Sequence, residues 1–116
     1  MIATDVSKET KCISAVKKTI KIYKRIDVLV NNAAIHYQSK GLEDITTEHF
    51  LKTFQTNFFS FFWITKNALP HLKKGSAIIN TSSVTAYRGS GGLIDYAATK
   101  GAIVSFTRSL SASLVD

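Results

Sequence analysis

Two short, largely apolar runs constrain this chain more than any other feature: Ile26 to Val30 and Ala77 to Thr81, each leading straight into a polar cluster, Asn31-Asn32 and Ser82-Ser83 respectively. Runs of this length are too short for a buried helix. The first is β-branched at Ile26, Val28 and Val30, so they read as strands covered on both faces. Such strands belong to parallel sheets, in which helical crossovers join one strand to the next.

The rest of the sequence supplies those helices. Ser7 as N-cap, Glu9 in the first turn, and Ile13, Val16, Ile20 and Tyr23 at helical spacing predict a first helix over about 8–24. Thr46 can cap a second helical region, whose face is marked by Phe50, Phe54, Phe58, Phe61, Thr65, Ala68 and Leu72 and which ends near Gly75. From Thr47 to Lys74 is long for one helix. Two are expected, with an interruption near Thr56 and Asn57 and a bend before Pro70. Gly89 to Gly92 reads as a loop, and Leu93 onward resumes helical spacing through Ala97, Val104 and Leu110. The order helix, strand, helices, strand, helix indicates an α/β layer architecture with right-handed crossovers. In such sheets ligands bind beyond the carboxyl ends of the strands, which here carry Asn31-Asn32-Ala33-Ala34 and Thr81-Ser82-Ser83.

Composition narrows the class further. With 116 residues, 45% hydrophobic and 20% charged, the chain suits one small globular unit. The single Cys12 cannot form an internal disulfide, which fits a reducing compartment, the cytoplasm by default, and gives no cysteine-rich metal site. No apolar run approaches the ~18 residues of a membrane span, and the first ten residues lack a signal-peptide pattern. The net charge of +7 is concentrated in residues 1–25, where seven Lys and Arg stand against Asp5 and Glu9. Without a recognition motif or interleaved aromatics, this reads as a solvated lysine face and not a nucleic-acid site.

Four residues carry chemistry. Tyr96 and Lys100 are four apart on the last predicted helix, so they share a face with Cβ atoms about 5–6 Å apart. A tyrosine is ordinarily a poor base, with a pKa of about 10, but an ammonium within ~4–6 Å favours the phenolate. Tyr-x-x-x-Lys is therefore a usable acid/base device, although the spacing alone also arises on helices without function. Ser83 lies just past a strand, thirteen residues before Tyr96, where a loop can fold its hydroxyl beside the phenol to donate to a carbonyl oxygen; a strand-end turn is the other reading. Asn57 sits inside an apolar helix, where a buried amide must find partners; it is equally readable as a helix-kink residue.

Taken together, Asn31-Asn32-Ala33-Ala34, Asn57, Ile79-Asn80-Thr81-Ser82-Ser83 and Tyr96-Ala97-Ala98-Thr99-Lys100 make the whole chain resemble the short-chain dehydrogenase/reductase family. The resemblance implies part of a Rossmann-like doubly wound parallel sheet with flanking helices, lacking the first two strands and the last strand of the full fold. It implies NAD or NADP as cofactor and a small-molecule alcohol, aldehyde or ketone as substrate. Tyr96 would exchange a proton with the substrate oxygen and Ser83 would steady that oxygen. Lys100 would hold the nicotinamide ribose, and Asn57 would hold a water on the proton path. Asn31, Asn32 and Ala33 would lie along the cofactor, with Asp5 of the Asp5-Val6 pair at its adenine end. Family members commonly form homo-oligomers through the long helices that correspond here to about 57–74 and 94–115.

Two departures accompany the resemblance. The family's Gly-x-x-x-Gly-x-Gly turn, which receives the pyrophosphate at a helix N-terminus, has no counterpart among Gly41, Gly75, Gly89, Gly91, Gly92 and Gly101. Met1 falls in the family's third strand, and Asp116 comes before its closing strand. The chain thus reads as the central part of one dehydrogenase domain, with a non-catalytic remnant or association module as the alternative.

Overall fold

The computed structural model describes residues 1–115. Helix α1 spans Glu9–Tyr23 and turns Cys12 and Val16 inward, while Lys17, Lys18 and Lys21 remain exposed. Ser7 is not its cap. The N-cap is Lys8, without a side-chain bond, because Asp5 Oδ1 already accepts both the Ser7 hydroxyl (2.6 Å) and the Ser7 N–H (3.0 Å). An Asx-type turn at Asp5 therefore leads into the helix. At the other end Lys24 adopts a left-handed conformation (φ 66°) and its N–H bonds the Ile20 carbonyl, closing the helix without a glycine.

Strands β1 (Val28–Asn31) and β2 (Ala77–Asn80) pair in parallel, Val28 opposite Ala77 and Asn31 opposite Asn80. Residues 1–5, where the resemblance expects a strand, form no regular element; a strand exists only through its ladder, and β1 and β2 pair with each other. Side chains alternate across the sheet. Asn31 and Asn80 point to the helical layer, reaching Thr65 and Thr107, whereas Val28, Val30 and Ile79 on the other face are 55%, 57% and 52% exposed. The expectation of strands covered on both faces thus holds for one face within residues 1–115.

Between the strands runs one nearly continuous helical rod. Thr46 caps it, accepting the His49 N–H at 3.1 Å, and α2 spans Thr47–Phe54. The expected interruption is a π-helical turn over Gln55–Phe59, after which α3 continues over Ser60–Ala68. The inserted residue of a π-bulge bends a helix without breaking it. Pro70 sits at the start of a 3₁₀ turn, Leu69–His71, so the rod ends there and not near Gly75. After β2 comes α4 (Thr85–Arg88), a short helix that periodicity does not reveal, and then α5 (Ile94–Leu114). Helix α1 packs on α3, while α5 packs on α2, α4 and the π turn.

The interior is unusually polar. Beside Cys12, Val16, Phe61, Ala68 and Ile103, ten polar or charged side chains among the described residues are buried, including Asn31, Asn57, Thr65, Asp95, Thr99 and Lys100. Buried polar groups need partners, and tracing theirs leads to the site.

Candidate active site

The carboxyl ends of both strands are tied to the helices behind them. Asn31, 4% exposed, donates to Thr65 Oγ1 on α3 (3.1 Å) and to Asn80 Oδ1 on β2 (2.9 Å). Asn80 in turn donates to Thr107 Oγ1 on α5 (3.0 Å). A chain of amides and hydroxyls thus runs from α3 through both strands to α5. Beyond it, Asn32, Ala33 and Ala34 are exposed and belong to no regular element.

Lys100 fastens α5 to the end of β2 at two points. Its ammonium donates to the Thr81 carbonyl at 3.2 Å, and its own carbonyl accepts the Ser82 hydroxyl at 2.8 Å. The side chain lies over the Tyr96 ring, with Nζ 5.5 Å from the centroid, so the i, i+4 pair meets as its spacing predicts. Burial pushes the Lys100 ammonium below the ordinary lysine range, because a charge removed from water is costly. One of its three donors is taken by Thr81; two have no protein acceptor among the described residues.

Ser83 Oγ accepts the N–H of Thr85 (3.2 Å) and the Thr85 hydroxyl (3.1 Å). Both contacts use its lone pairs, so its own proton stays free to be donated. Tyr96 is half-buried. His36, from the loop after β1, meets its ring edge-on with centroids 5.7 Å apart.

Asn57, fully buried in the middle of the π turn, forms a two-point clamp on Ile35. Its Oδ1 accepts the Ile35 N–H at 2.8 Å and its Nδ2 donates to the Ile35 carbonyl at 2.8 Å. The second Nδ2 hydrogen reaches Thr99 Oγ1 (3.3 Å), whose own hydroxyl donates to the Tyr96 carbonyl (2.6 Å). The amide therefore secures the loop that carries His36 and, through Thr99, touches the helix that carries Tyr96.

The structure thus gathers Asn57, Tyr96 and Lys100 into connected hydrogen-bond and ring contacts, with Ser83 directly following the Thr81-Ser82 anchor. Asp5 and Val6 make local contacts before α1. Asp5 is exposed, and its bonds to Ser7 hold its carboxyl below the usual range, while the Val6 carbonyl accepts the Cys12 thiol at 3.2 Å. Sequence reasoning does not single out Thr53, Thr99 or Asp95. Asp95 is 1% exposed and bonded to Thr53, forty-two residues away. The one available signal was an acid in the first turn of the helix, immediately before Tyr96.

Comparison with known proteins finds relatives along the whole chain. A family model described as short chain dehydrogenase matches residues 1–116. The chain is similar to the uncharacterized oxidoreductase YhxC of Bacillus subtilis, at 56% identity over 100% of this chain and 41% of the relative. It is also similar to a chloroplastic NADPH-dependent aldehyde reductase of Arabidopsis thaliana, at 48% identity over 99% of this chain and 40% of the relative. Among solved structures, the NADH-dependent reductase A1-R' complexed with NAD superposes with a TM-score of 0.92 at 30% identity, over 97% of this chain and 50% of that one. The chain therefore spans about 40% of the length of the curated relatives it matches.

Proposed function

Because the chain belongs to the short-chain dehydrogenase/reductase family, we propose that residues 1–116 are the catalytic centre of an NAD(P)-dependent alcohol dehydrogenase or carbonyl reductase. The observation that carries this reading is the Lys100 ammonium. It is buried among the Thr81 carbonyl and the Tyr96 and Phe61 rings, with two N–H groups that have no acceptor among the described residues.

That donor set fits the nicotinamide end of the cofactor. The two N–H groups of the ammonium without an acceptor among the described residues match the two hydroxyls of a ribose, and the exposed residues Asn32 and Ala33 directly follow the end of β1. When bound, NAD or NADP supplies the ring carbon that gives or takes hydride. For reduction, the Tyr96 phenol hands its proton to the carbonyl oxygen as that oxygen gains charge; for oxidation, it takes the alcohol proton. Ser83 directs its free proton at the same oxygen and steadies it in both directions. Charge left on the phenol oxygen is attracted by Lys100. Asn57 has one Oδ1 lone pair left, so a water it holds would donate to that oxygen. The substrate is a small alcohol, aldehyde or ketone. A cytoplasmic location and a homo-oligomer built through α3 and α5 belong to the same proposal.

The reading is tested by joining residues 1–116 to the flanking segments of a relative of full family length, including its Gly-rich turn. The joined protein is expected to oxidise a secondary alcohol with NAD or NADP, and the 116-residue chain is expected to show no turnover. A folded joined protein without turnover overturns the proposal and favours a non-catalytic association module. Intrinsic NADH and NADPH fluorescence titrations on both proteins separate lost binding from lost chemistry.

A further inference from the structure

Next to the tyrosine–lysine pair lies a polar cluster that the proposed reaction does not use. Asp95 is 1% exposed, and burying a carboxyl group is costly unless its oxygens are hydrogen-bonded. One oxygen accepts the Thr53 hydroxyl from α2 at 2.8 Å, and the other accepts the backbone N–H of Tyr96 at 2.9 Å. Thr53 Oγ1 also lies 3.0 Å from the His49 carbonyl oxygen on its own helix, so the shorter contact is the one that crosses between helices. His49 brings a third side: its Nε2 is buried, has no hydrogen-bond partner among the described residues, and stands 3.6 Å from the Asp95 oxygen that Thr53 bonds. Tyr37 meets the His49 ring edge-on at 4.9 Å, and its neighbour His36 meets Tyr96. Helix α2 and the first turn of α5 therefore meet at one carboxyl group, and the loop after β1 packs on the His49 that flanks it.

The start of α5 needs such a group. Its N-cap, Leu93, offers no side-chain acceptor, and the first N–H groups of a helix are otherwise unsatisfied. An exposed Ser or Asp at the cap would serve for stability alone. Here the acceptor is buried and braced from another helix, and the N–H it takes belongs to the residue whose ring must point at the reacting oxygen.

We propose that Asp95 is a positioning residue for Tyr96: its carboxyl group, braced by Thr53 on α2 and flanked by His49, fixes the first turn of α5 and so the direction in which the phenol leaves the helix. The inference rests on the reading of Tyr96 as proton donor, and two measurements keep the two claims apart. In the joined full-length protein, nuclear magnetic resonance reads the His36–Tyr96 ring contact and the Tyr96 amide independently of any turnover. Asp95→Asn and Thr53→Val are expected to weaken that contact and move the amide upfield, while Thr53→Ser, which keeps the hydroxyl, retains both. In the joined full-length protein, Asp95→Asn and Thr53→Val are expected to lower kcat about tenfold with KM for the alcohol within about twofold, and Thr53→Ser to stay within about twofold on both. Asp95→Asn with an unchanged ring contact, or with unchanged kcat per folded molecule, overturns the proposal. Retained turnover in Tyr96→Phe would instead overturn the reading of Tyr96 and leave the ring-contact result standing.

Discussion

The proposed reading gives Tyr96 and Lys100 different work at the residue level, and on that reading their substitutions should divide accordingly. In the joined full-length protein, Tyr96→Phe is expected to lower kcat at least about 100-fold while the cofactor dissociation constant stays within about twofold, because the lost hydroxyl acts on the reacting oxygen. Lys100→Ala should damage both, since the ammonium serves the ribose and the phenol oxygen together; a cofactor affinity unchanged in that variant would remove the ribose role. This pair was legible because helical spacing alone brings i and i+4 together. Asp95 and Thr53 were not, since their contact depends on how α2 and α5 cross. Cys12 gives a separate residue-scale expectation. Burial pushes its thiol up to about 11 from 9.0. A raised folded-state pKa means stability fully present below pH 9 and lost as pH rises through 11, by on the order of 2 kcal/mol. Burial of Lys100 acts in the opposite sense: its lowered folded-state pKa adds stability as pH rises towards 10.5. Urea melts of wild type and Cys12→Ala between pH 8 and 11 isolate the thiol, because Lys100 is common to both. Parallel pH curves for the two proteins would show that the buried thiol has no such linkage.

At the level of elements, hydrogen bonds between layers hold the site together more than apolar contact does. Asn31 connects α3 with β2, and Asn57 connects the π turn with the loop after β1. Removing either amide leaves buried groups without partners, at about 1–3 kcal/mol. Asn31→Ala and Asn57→Ala should each lower the urea midpoint by a corresponding amount. Asn57→Ala alone should speed hydrogen exchange at the Ile35 amide, and unchanged exchange there would refute the clamp. The strands and the long helices were readable from period and length. The π turn was foreseen only as an interruption, because a polar residue within a Phe-rich helix marks the place of a defect and not its geometry. Helix α4 has only four residues, too few for any periodicity. The N-terminal cap was misread because Asp5, two residues upstream, captures the Ser7 hydroxyl that would have capped the helix.

For the whole molecule, the question is what covers the apolar surface. The aromatic run after Asn57 suggests rings on several faces seeking a partner, but most of them are satisfied within the chain. Phe58 packs edge-on against Phe106, Phe59 against Trp63, and Phe61 is 1% exposed; within residues 58–63 only Phe62 is exposed, at 44%. Apolar area is uncovered on the sheet, where Val28, Val30 and Ile79 are each more than half exposed, as Ile22, Tyr23, Leu42, Val84 and Tyr87 are elsewhere, and the outer edges of β1 and β2 have no ladder partner among the described residues. Exposed apolar patches and free strand edges both favour association. The 116-residue chain is therefore expected to form dimers or aggregates at micromolar concentration, measured by light scattering. Val30→Lys, which places a charge in the middle of that face, should raise the monomer fraction, whereas Phe62→Lys on α3 should change it less. In the joined full-length protein the same Val30→Lys should be destabilising, because a buried lysine without a partner is costly. A sharp, cooperatively melting monomer of the unsubstituted chain would show that the bare sheet face is tolerated in water, and equal effects of the two lysines would place the association on the helices after all.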